Sequence, residues 1–546
     1  MGAERDETES HSPARDERAD GPSLNHDREG PNPPRKSTTR RSLLQICGAG
    51  ALVGLAGCTG GGDDTGDDGD GDGTGANGDD DGTGGDDDGT GGDGDGGVGD
   101  GGSALADMVS IDLVADIAPG DSSDPDFLTV AGDRLYFRAD DGEHGAEPWM
   151  TEGTESGTQL VKDIAFSGSR PENLVAFEGD LVFLTSYQEH FWRTDGTEAW
   201  TVQLASDGPR DRPVEREGLL YFGGATDERL WVSDGTEAGT DAVTDIGPDT
   251  DGWGWNGPTR FTATEDAVFF RYYDPDLDED VLWMTDGTEA GTQMVPTDDA
   301  SAIRRPVLMR AVGELLYFAA RADDDAPTVP WCSDGTAAGT YRLVDPDDPD
   351  LFTTQSMMPY GDRVVFSVDT SEAAYERGAD LWISDGTTGG TEFLGEVNTR
   401  GLGTGHDWDD WVEYDGRLFF VGSDPNEYRG QNLWATDGTA DGTERVAQIA
   451  STDDDGDYRA TGIEDLTVVG EYLFFTADDG ETGQQLWISD GTEAGTTMVA
   501  PDDATVDDPL DYAHDDQSVA AYDGDCYFTA EYTDVGRELW RASVDD

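Results

Sequence analysis

The chain has 546 residues, and its 120 Asp and Glu against 33 Lys and Arg give a formal charge of −87. This charge argues against nucleic acid as a partner, because phosphate binding needs a basic footprint that the sequence lacks. Cysteine is also scarce, with four residues, so a disulfide scaffold is not expected.

The first segment, residues 1–58, has the features of an export signal. Arg40 and Arg41 precede an apolar run of about fourteen residues, shorter than the roughly 20 that a membrane span needs. The arrangement resembles a twin-arginine signal. The sequence "LAGC" at 55–58 resembles a lipobox, in which cleavage before Cys58 frees its thiol for a lipid. We expect a protein anchored to the outer face of the cytoplasmic membrane; the alternative is an ordinary cleaved signal with an incidental cysteine.

Residues 59–103 consist almost wholly of Gly, Asp and Thr. Such a segment cannot bury apolar surface, so it predicts a disordered tether. With −1 on residues 1–58 and −15 on the tether, a charge of −71 falls on 104–546. Molar salt would screen repulsion of this size, and the composition resembles that of halophilic archaeal proteins.

Beyond residue 104 one motif recurs, as "LWVSDGTEAGT" at 230–240 and "LWISDGTEAGT" at 486–496. Its tryptophans are 39 to 53 residues apart, a period typical of repeated supersecondary units. They are Trp149, Trp192, Trp231, Trp283, Trp331, Trp382, Trp434, Trp487 and Trp540. Eight are followed by an acidic residue, Gly and Thr. The acidic residue is aspartate at Asp195, Asp234, Asp286, Asp334, Asp385, Asp437 and Asp490.

Each repeat contains a hairpin, the tryptophan strand, the DGT turn and a fourth strand. Second strands such as "LYF" and "LFF" are apolar throughout, which is typical of strands buried on both faces. Four short antiparallel strands per unit predict an all-β fold, a β-propeller. The last repeat lacks a fourth strand, and "IDLVADI" at 111–117 is an orphan strand. We expect this segment to pair with the strand around Trp540 and close a ring of about nine blades, with eight as the alternative.

The repeated motif resembles that of the bacterial and archaeal ELW-x-x-DGT repeat family over residues 104–546. The resemblance implies a secreted or surface protein, and many members of that family have no assigned activity.

Signals for catalysis are scarce, since H-E-x-x-H, G-x-S-x-G and P-loop motifs are absent from the sequence. No cofactor is identified. The acidic stretches 274–280 and 453–457 keep calcium as a candidate ligand, with solvated surface as the favoured interpretation.

A candidate ligand face is predicted where aromatic residues fall in or beside connectors between blades. These residues are Trp253, Trp255, His406, Trp408 and Trp411. They could stack on sugar rings, or they could fill gaps between blades.

Together these patterns predict a lipid-anchored, cell-surface propeller that acts as a non-enzymatic binding scaffold. Its partners would be the membrane through its anchor, and a surface polysaccharide or an envelope protein. The alternatives are an extracellular carbohydrate-active enzyme, a glycoside hydrolase or lyase with acids converging at the axis, and a structural spacer of the envelope.

Overall fold

A computed structural model describes residues 104–545 except for certain segments. These are 187–188, 245–256, 299–300, 323–325, 345–352, 370–378, 398, 400–410, 424–430, 450–461, 502–503, 505–508 and 511–517. The predicted signal, the tether and the anchor residue Cys58 therefore lie outside the described residues, as do Arg40 and Arg41.

Within the described residues the chain is all-β, and its antiparallel strands form nine groups of four, here called sheets 1 to 9. An N-terminal strand, β1 Val109–Ala115, precedes them. Sheet 1 comprises β2 Asp126–Ala131, β3 Arg134–Asp140, β4 Ala146–Thr151 and β5 Gln159–Leu160. Sheet 2 comprises β6 Pro171–Phe177, β7 Asp180–Thr185, β8 His190–Thr194 and β9 Val202–Ala205. Sheet 3 comprises β10 Val214–Arg216, β11 Leu219–Gly223, β12 Leu230–Ser233 and β13 Thr240–Thr244.

The next two sheets are joined by a single bridge, from Val281 to Arg304. Sheet 4 comprises β14 Thr259–Ala263, β15 Val268–Asp274, β16 Glu279–Thr285 and β17 Gln293–Met294. Sheet 5 comprises β18 Arg304–Val312, β19 Leu315–Arg321, β20 Val329–Ser333 and β21 Tyr341–Arg342. Sheet 6 comprises β22 Thr353–Tyr360, β23 Arg363–Asp369, β24 Ala379–Ser384 and β25 Thr391–Glu396.

The last sheet takes its fourth strand from the other end of the chain. Sheet 7 comprises β26 Trp411–Tyr414, β27 Arg417–Gly422, β28 Asn432–Thr436 and β29 Glu444–Ala447. Sheet 8 comprises β30 Glu464–Val469, β31 Tyr472–Asp478, β32 Gln484–Ser489 and β33 Thr497–Val499. Sheet 9 comprises β34 Val519–Tyr522, β35 Asp525–Ala530, β36 Glu538–Val544 and the N-terminal β1. Short 3₁₀ helices occur at Ala106–Met108, Glu155–Gly157, Glu198–Trp200, Glu237–Gly239, Glu289–Gly291 and Thr388–Gly390.

β1 lies antiparallel to β36, with Leu113 opposite Trp540. This arrangement confirms the predicted pairing of the orphan N-terminal strand with the strand around Trp540. A buried carboxylate secures the junction, because Glu538 accepts hydrogen bonds from the backbone N–H groups of Ile117 and Ala118.

Every sheet contains the same cross-strand pair, a phenylalanine of its second strand opposite the repeat tryptophan of its third. The nine phenylalanines are fully buried, whereas Trp331, Trp434 and Trp540 are buried and the other six repeat tryptophans half-buried. The phenylalanines are Phe137, Phe183, Phe222, Phe270, Phe318, Phe366, Phe420, Phe475 and Phe528. Core packing thus lies between consecutive sheets and centres on the second strands.

The DGT turn joins the third strand to the fourth, and its aspartate and threonine side chains form hydrogen bonds within the turn. In sheet 3, Asp234 Oδ1 accepts from both the N–H and the hydroxyl of Thr236. The same pair of bonds forms at all seven predicted aspartates. A side-chain hydrogen bond from this threonine lowers the pKa of Asp234, as equivalent threonines do for three other turn aspartates, Asp286, Asp385 and Asp437. In sheet 2, Trp200 replaces the second glycine of the turn and is largely exposed.

The first strands bring the sheets together, since β2 packs on β6 and β34 packs on β2. Hydrogen bonds also run from sheet to sheet. The Tyr360 hydroxyl donates to the Gly416 carbonyl at 2.6 Å, and the Tyr522 hydroxyl of sheet 9 donates to the Asp133 carbonyl of sheet 1 at 2.8 Å. Each sheet is therefore held by its neighbours in chain order, and the last is held by the first.

Candidate functional site

Four of the five residues predicted to form a ligand face fall outside the described residues: Trp253, Trp255, His406 and Trp408. The fifth, Trp411, begins β26, is half-buried and lies opposite Phe420. The predicted ligand face therefore lies almost wholly outside the described residues and stays a prediction.

A pocket of about 500 Å³ lies instead where sheets 9, 1 and 2 meet. This volume is within the roughly 300–1,000 Å³ that small-ligand pockets occupy. Its lining is strongly polar and contains Ser123, Asp124, Pro125, Asp126, Arg138, Asp140, Ala146, Arg170, Glu172 and Arg537. Three of these ten residues are arginines, although residues 104–546 contain 25 basic residues among 443. Arginine is thus concentrated in the pocket of an otherwise acidic chain.

Repeat-equivalent positions of two neighbouring connectors build this pocket. The connector into sheet 1 ends "SDPD" at 123–126, and the connector into sheet 2 ends "SRPE" at 169–172. Asp124 and Arg170 both precede the proline and have positive φ angles of 45° and 50°. Since non-glycine residues rarely adopt this conformation, the surrounding structure must enforce it. The same repeat position therefore places an acid and a base on one rim.

Two buried serine–glutamate pairs fix these connectors. The Ser123 hydroxyl donates to Glu538 Oε2, and the Ser169 hydroxyl donates to Glu147 Oε2, each at 2.5 Å. Both glutamates occupy the position two residues before the repeat tryptophan and have no exposed surface. Burial raises the pKa of Glu538 and of Glu147, while the serine hydrogen bonds act in the opposite direction.

Arg138 of β3 joins sheets 1 and 2 at the floor of the pocket. Its Nη2 forms an ion pair with Asp126, and its Nη1 lies 3.8 Å from Glu172 Oε1. The guanidinium also lies over the Phe127 ring, 4.7 Å from the centroid. The two carboxylates and the aromatic ring together hold the arginine in one orientation.

Backbone hydrogen bonds fix the opposite wall across the chain closure. The N–H groups of Ser123 and Asp124 donate to the Arg537 carbonyl at 3.1 and 3.3 Å, and the Arg537 N–H donates to Ser122 Oγ at 3.0 Å. Asp140 is attached to the same loop, because its N–H donates to the Ser123 carbonyl at 2.9 Å. The charged groups of the pocket therefore stand on a preorganised backbone.

The pocket offers both signs of charge to a ligand. Arginine forks bind carboxylates through paired, charge-assisted hydrogen bonds, and carboxylates bind ammonium groups in the same way. The repeated tryptophans and DGT turns do not point to these residues, so none of them was predicted from the sequence. The signal that would have found them is the S-x-P-[DE] ending shared by the connectors at 123–126 and 169–172.

Of the two acidic stretches named as calcium candidates, 453–457 lies outside the described residues. No group of three or more His, Cys, Asp or Glu side chains among the described residues could hold a metal ion. In the acidic stretch 274–280, Asp280 pairs with Arg271 and Asp278 accepts from the Tyr273 hydroxyl. His144 bonds Asp141 at 2.8 Å within a loop of the same type as the one where Thr482 bonds Asp479.

Two further features complete the description of this part of the chain. Cys332 and Cys526 are buried free thiols. Among the described residues, none of the helices has the length and apolar character that crossing a membrane would require.

No protein-family model matches the sequence, and no curated protein matches it. Solved structures do match. A puromycin hydrolase shares 15% identity over 77% of this chain and 60% of its own, with a TM-score of 0.39. A prolyl endopeptidase shares 12% over 61% and 49%, with a TM-score of 0.33. A puromycin-hydrolyzing peptidase of Mycobacterium tuberculosis shares 11% over 71% and 55%, with a TM-score of 0.37.

These three structures are those of a hydrolase and two peptidases, so the predicted non-enzymatic binding scaffold is not retained. The chain spans about 60% of the length of the first structure. Identities of 11–15% and TM-scores below 0.4 transfer neither a substrate nor an activity to this chain.

Proposed function

We propose that the nine sheets are the blades of one closed β-propeller. Three observations support the ring: β1 completes sheet 9, the first strands β34 and β2 pack together, and Tyr522 bonds the Asp133 carbonyl. The Phe–Trp pair present in each of the nine sheets supports nine blades over eight. Closure of this kind removes the open sheet edges that invite aggregation.

We also propose that the protein is exported and held at the outer face of the cytoplasmic membrane by a lipid on Cys58. The twin arginines Arg40 and Arg41 and the Gly/Asp tether at 59–103 support this proposal from the sequence. A Cys58→Ser protein should lose its lipid and leave the membrane fraction. Normal processing with unchanged membrane retention would contradict the anchor.

We propose that the pocket between sheets 9, 1 and 2 recognises a small ligand that carries a carboxylate and an ammonium group, namely an amino acid or the ends of a short peptide. One observation carries this proposal: three arginines and four carboxylates line a single pocket of about 500 Å³. Both signs of charge in one pocket match a ligand that carries both, because arginine forks bind carboxylates and carboxylates bind ammonium groups.

The arginines and the aspartates of the pocket bind different groups of the ligand. Arg170 and Arg537 supply donors for the ligand carboxylate. Asp124 and Asp140 supply acceptors for the ammonium group. Arg138 keeps its ion pair with Asp126 and serves as a positioning residue that holds the floor in place.

Isothermal titration in molar KCl with an unblocked dipeptide tests this assignment, with mass spectrometry of the same mixture to detect cleavage. The N-acetylated and C-amidated forms should each bind about tenfold more weakly or worse, because each loses a charge-assisted hydrogen bond. Arg170→Gln should weaken binding similarly. Arg417→Gln, a matched change in sheet 7 at an arginine that pairs with Glu444, should leave binding unchanged. Equal affinity for blocked and unblocked forms would overturn the assignment.

A further inference from the structure

The rim that carries Arg170 continues through sheets 3, 4 and 5 with more arginines. Arg210 follows Pro209 at the end of the connector into sheet 3, Arg260 lies in β14, and Arg305 lies in β18. All three are exposed, as is Arg170. We call Arg170, Arg210, Arg260 and Arg305 the arginine arc.

Direct contacts join the segments that carry the arc arginines. Asn173 Nδ2 of sheet 2 donates to the Arg210 carbonyl at 3.3 Å. The Arg260 N–H of sheet 4 donates to Asp211 Oδ2, next to Arg210, at 3.1 Å. β14 then packs on β18, which carries Arg305. Sheets 2 to 5 are thus in contact through segments that each carry one exposed arginine.

Three of the arc arginines have left-handed backbone conformations, with φ of 50° at Arg170, 54° at Arg260 and 49° at Arg305. Such conformations are strained for long side chains. They occur at the start of the first strands, where register shifts mark bulges in β14 and β18. A bulge changes the direction in which a strand presents its side chains.

From this placement we infer that the arginine arc binds acidic side chains of an extended peptide whose end occupies the pocket. The inference rests on the proposed function, because the pocket supplies the fixed point from which the peptide runs. Arginine recognises carboxylates by its planar fork. Much of the described surface is acidic and repels such a ligand, whereas the arc presents four exposed guanidinium groups.

At one end of the arc, a carboxylate of the protein itself pairs with an arc arginine. Glu279 Oε1 lies 2.9 Å from Arg305 Nε, and Glu279 Oε2 lies 3.6 Å from Arg304 Nη1. The Arg305 side chain is 54% exposed, so part of its guanidinium surface faces solvent beside that pair. A peptide carboxylate would add to this network at its exposed side.

The test compares two hexapeptides of equal length, one of alanine and glycine and one with three glutamates after the first two residues. Their affinities are measured in 1 M and 3 M KCl for the full chain, for the combined variant Arg210→Gln, Arg260→Gln and Arg305→Gln, and for the control Arg417→Gln. Circular dichroism confirms that each variant is folded.

The unaltered protein and the control should prefer the acidic peptide by about tenfold or more, and the preference should be smaller in 3 M KCl. The combined variant should bind both peptides with the affinity of the neutral one. A preference retained by the combined variant would overturn the arc while leaving the proposed function standing. Failure of the unaltered protein to bind either hexapeptide while it still binds the unblocked dipeptide would overturn the arc alone. Failure to bind the dipeptide as well would overturn the proposed function and the arc with it. Displacement of the acidic peptide by heparin or by an oligonucleotide at equal charge would assign the arc to polyanions in general and overturn its peptide specificity.

Discussion

The Ser123 hydroxyl donates a 2.5 Å hydrogen bond to the Glu538 carboxylate across 415 residues of chain. The same carboxylate accepts the backbone N–H groups of Ile117 and Ala118 at 3.1 and 3.2 Å. One buried side chain therefore fixes the N-terminal strand to the C-terminal sheet and also fixes the loop that forms a wall of the pocket.

Replacing Glu538 with alanine should lower the free energy of unfolding by about 3 kcal/mol, because three buried donors would lose their acceptor. Glu147→Ala, the equivalent change in sheet 1, should give a similar loss, since Glu147 accepts from Ala165, Ser169 N–H and the Ser169 hydroxyl. Denaturant unfolding in molar salt measures both. A loss below about 0.5 kcal/mol, typical of surface changes, would contradict the role assigned to this carboxylate.

The raised pKa of Glu538 gives its contribution a defined pH dependence. The folded-state pKa of Glu538 lies above its ordinary value of 4.5, so the folded state binds this proton more tightly than the unfolded state does. The stabilisation from this pKa difference is fully present below pH 4.5 and is lost as pH rises through the raised pKa. In Glu538→Gln the group no longer titrates. The stability of the unaltered protein relative to this variant should therefore fall as pH rises from 4 toward 7. A difference that stays constant or grows would be incompatible with the raised pKa.

Adjacent glycines in the DGT turn of sheet 6 offer a matched pair. A Cβ at Gly390 would overlap the Asp385 carboxylate, whereas a Cβ at Gly389 meets nothing within 4 Å. Gly390→Ala should destabilise the protein by about 1–3 kcal/mol through this overlap. Gly389→Ala should be neutral or slightly stabilising, because it restricts the unfolded chain. Thermal unfolding compares the two, and equal effects would show that the Asp385 carboxylate yields without cost.

The charge of −71 on residues 104–546 predicts a strong dependence of folding on salt. Dilution to about 0.1 M lengthens the Debye length to about 10 Å and exposes like-charge repulsion. Circular dichroism should show loss of β structure on dilution and its recovery in molar KCl. Equal melting temperatures at 0.1 M and 3 M would remove the case for a halophilic protein.

The repeat allowed much of the fold to be predicted. The tryptophan spacing gave the units, and the missing fourth strand after Trp540 led to the pairing with β1. The sequence did not show that the phenylalanine opposite each repeat tryptophan is the more deeply buried residue of the pair. Phe475 has no exposed surface while Trp487 opposite it is half-buried, so the larger aromatic does not mark the centre of the core.

The candidate site could not be predicted in the same way because its residues are far apart in sequence. Arg537 contacts Asp124 only when β1 is paired with β36. A local sequence pattern therefore cannot predict that the two residues are neighbours. Asp124 and Arg170 occupy the same position of the repeat but differ in residue type. A search for identical repeated residues therefore does not find them. The aromatic clusters drew attention to Trp253 and Trp408, which lie outside the described residues.

The most direct measurement is a crystal structure of the full chain grown in molar salt and soaked with an unblocked dipeptide. We predict that the dipeptide carboxylate lies within about 3 Å of donors on Arg170 or Arg537, and its ammonium group within about 3 Å of Asp124 or Asp140. A dipeptide bound at another place, or a pocket that stays empty at ligand concentrations that saturate the protein in titration, would contradict it.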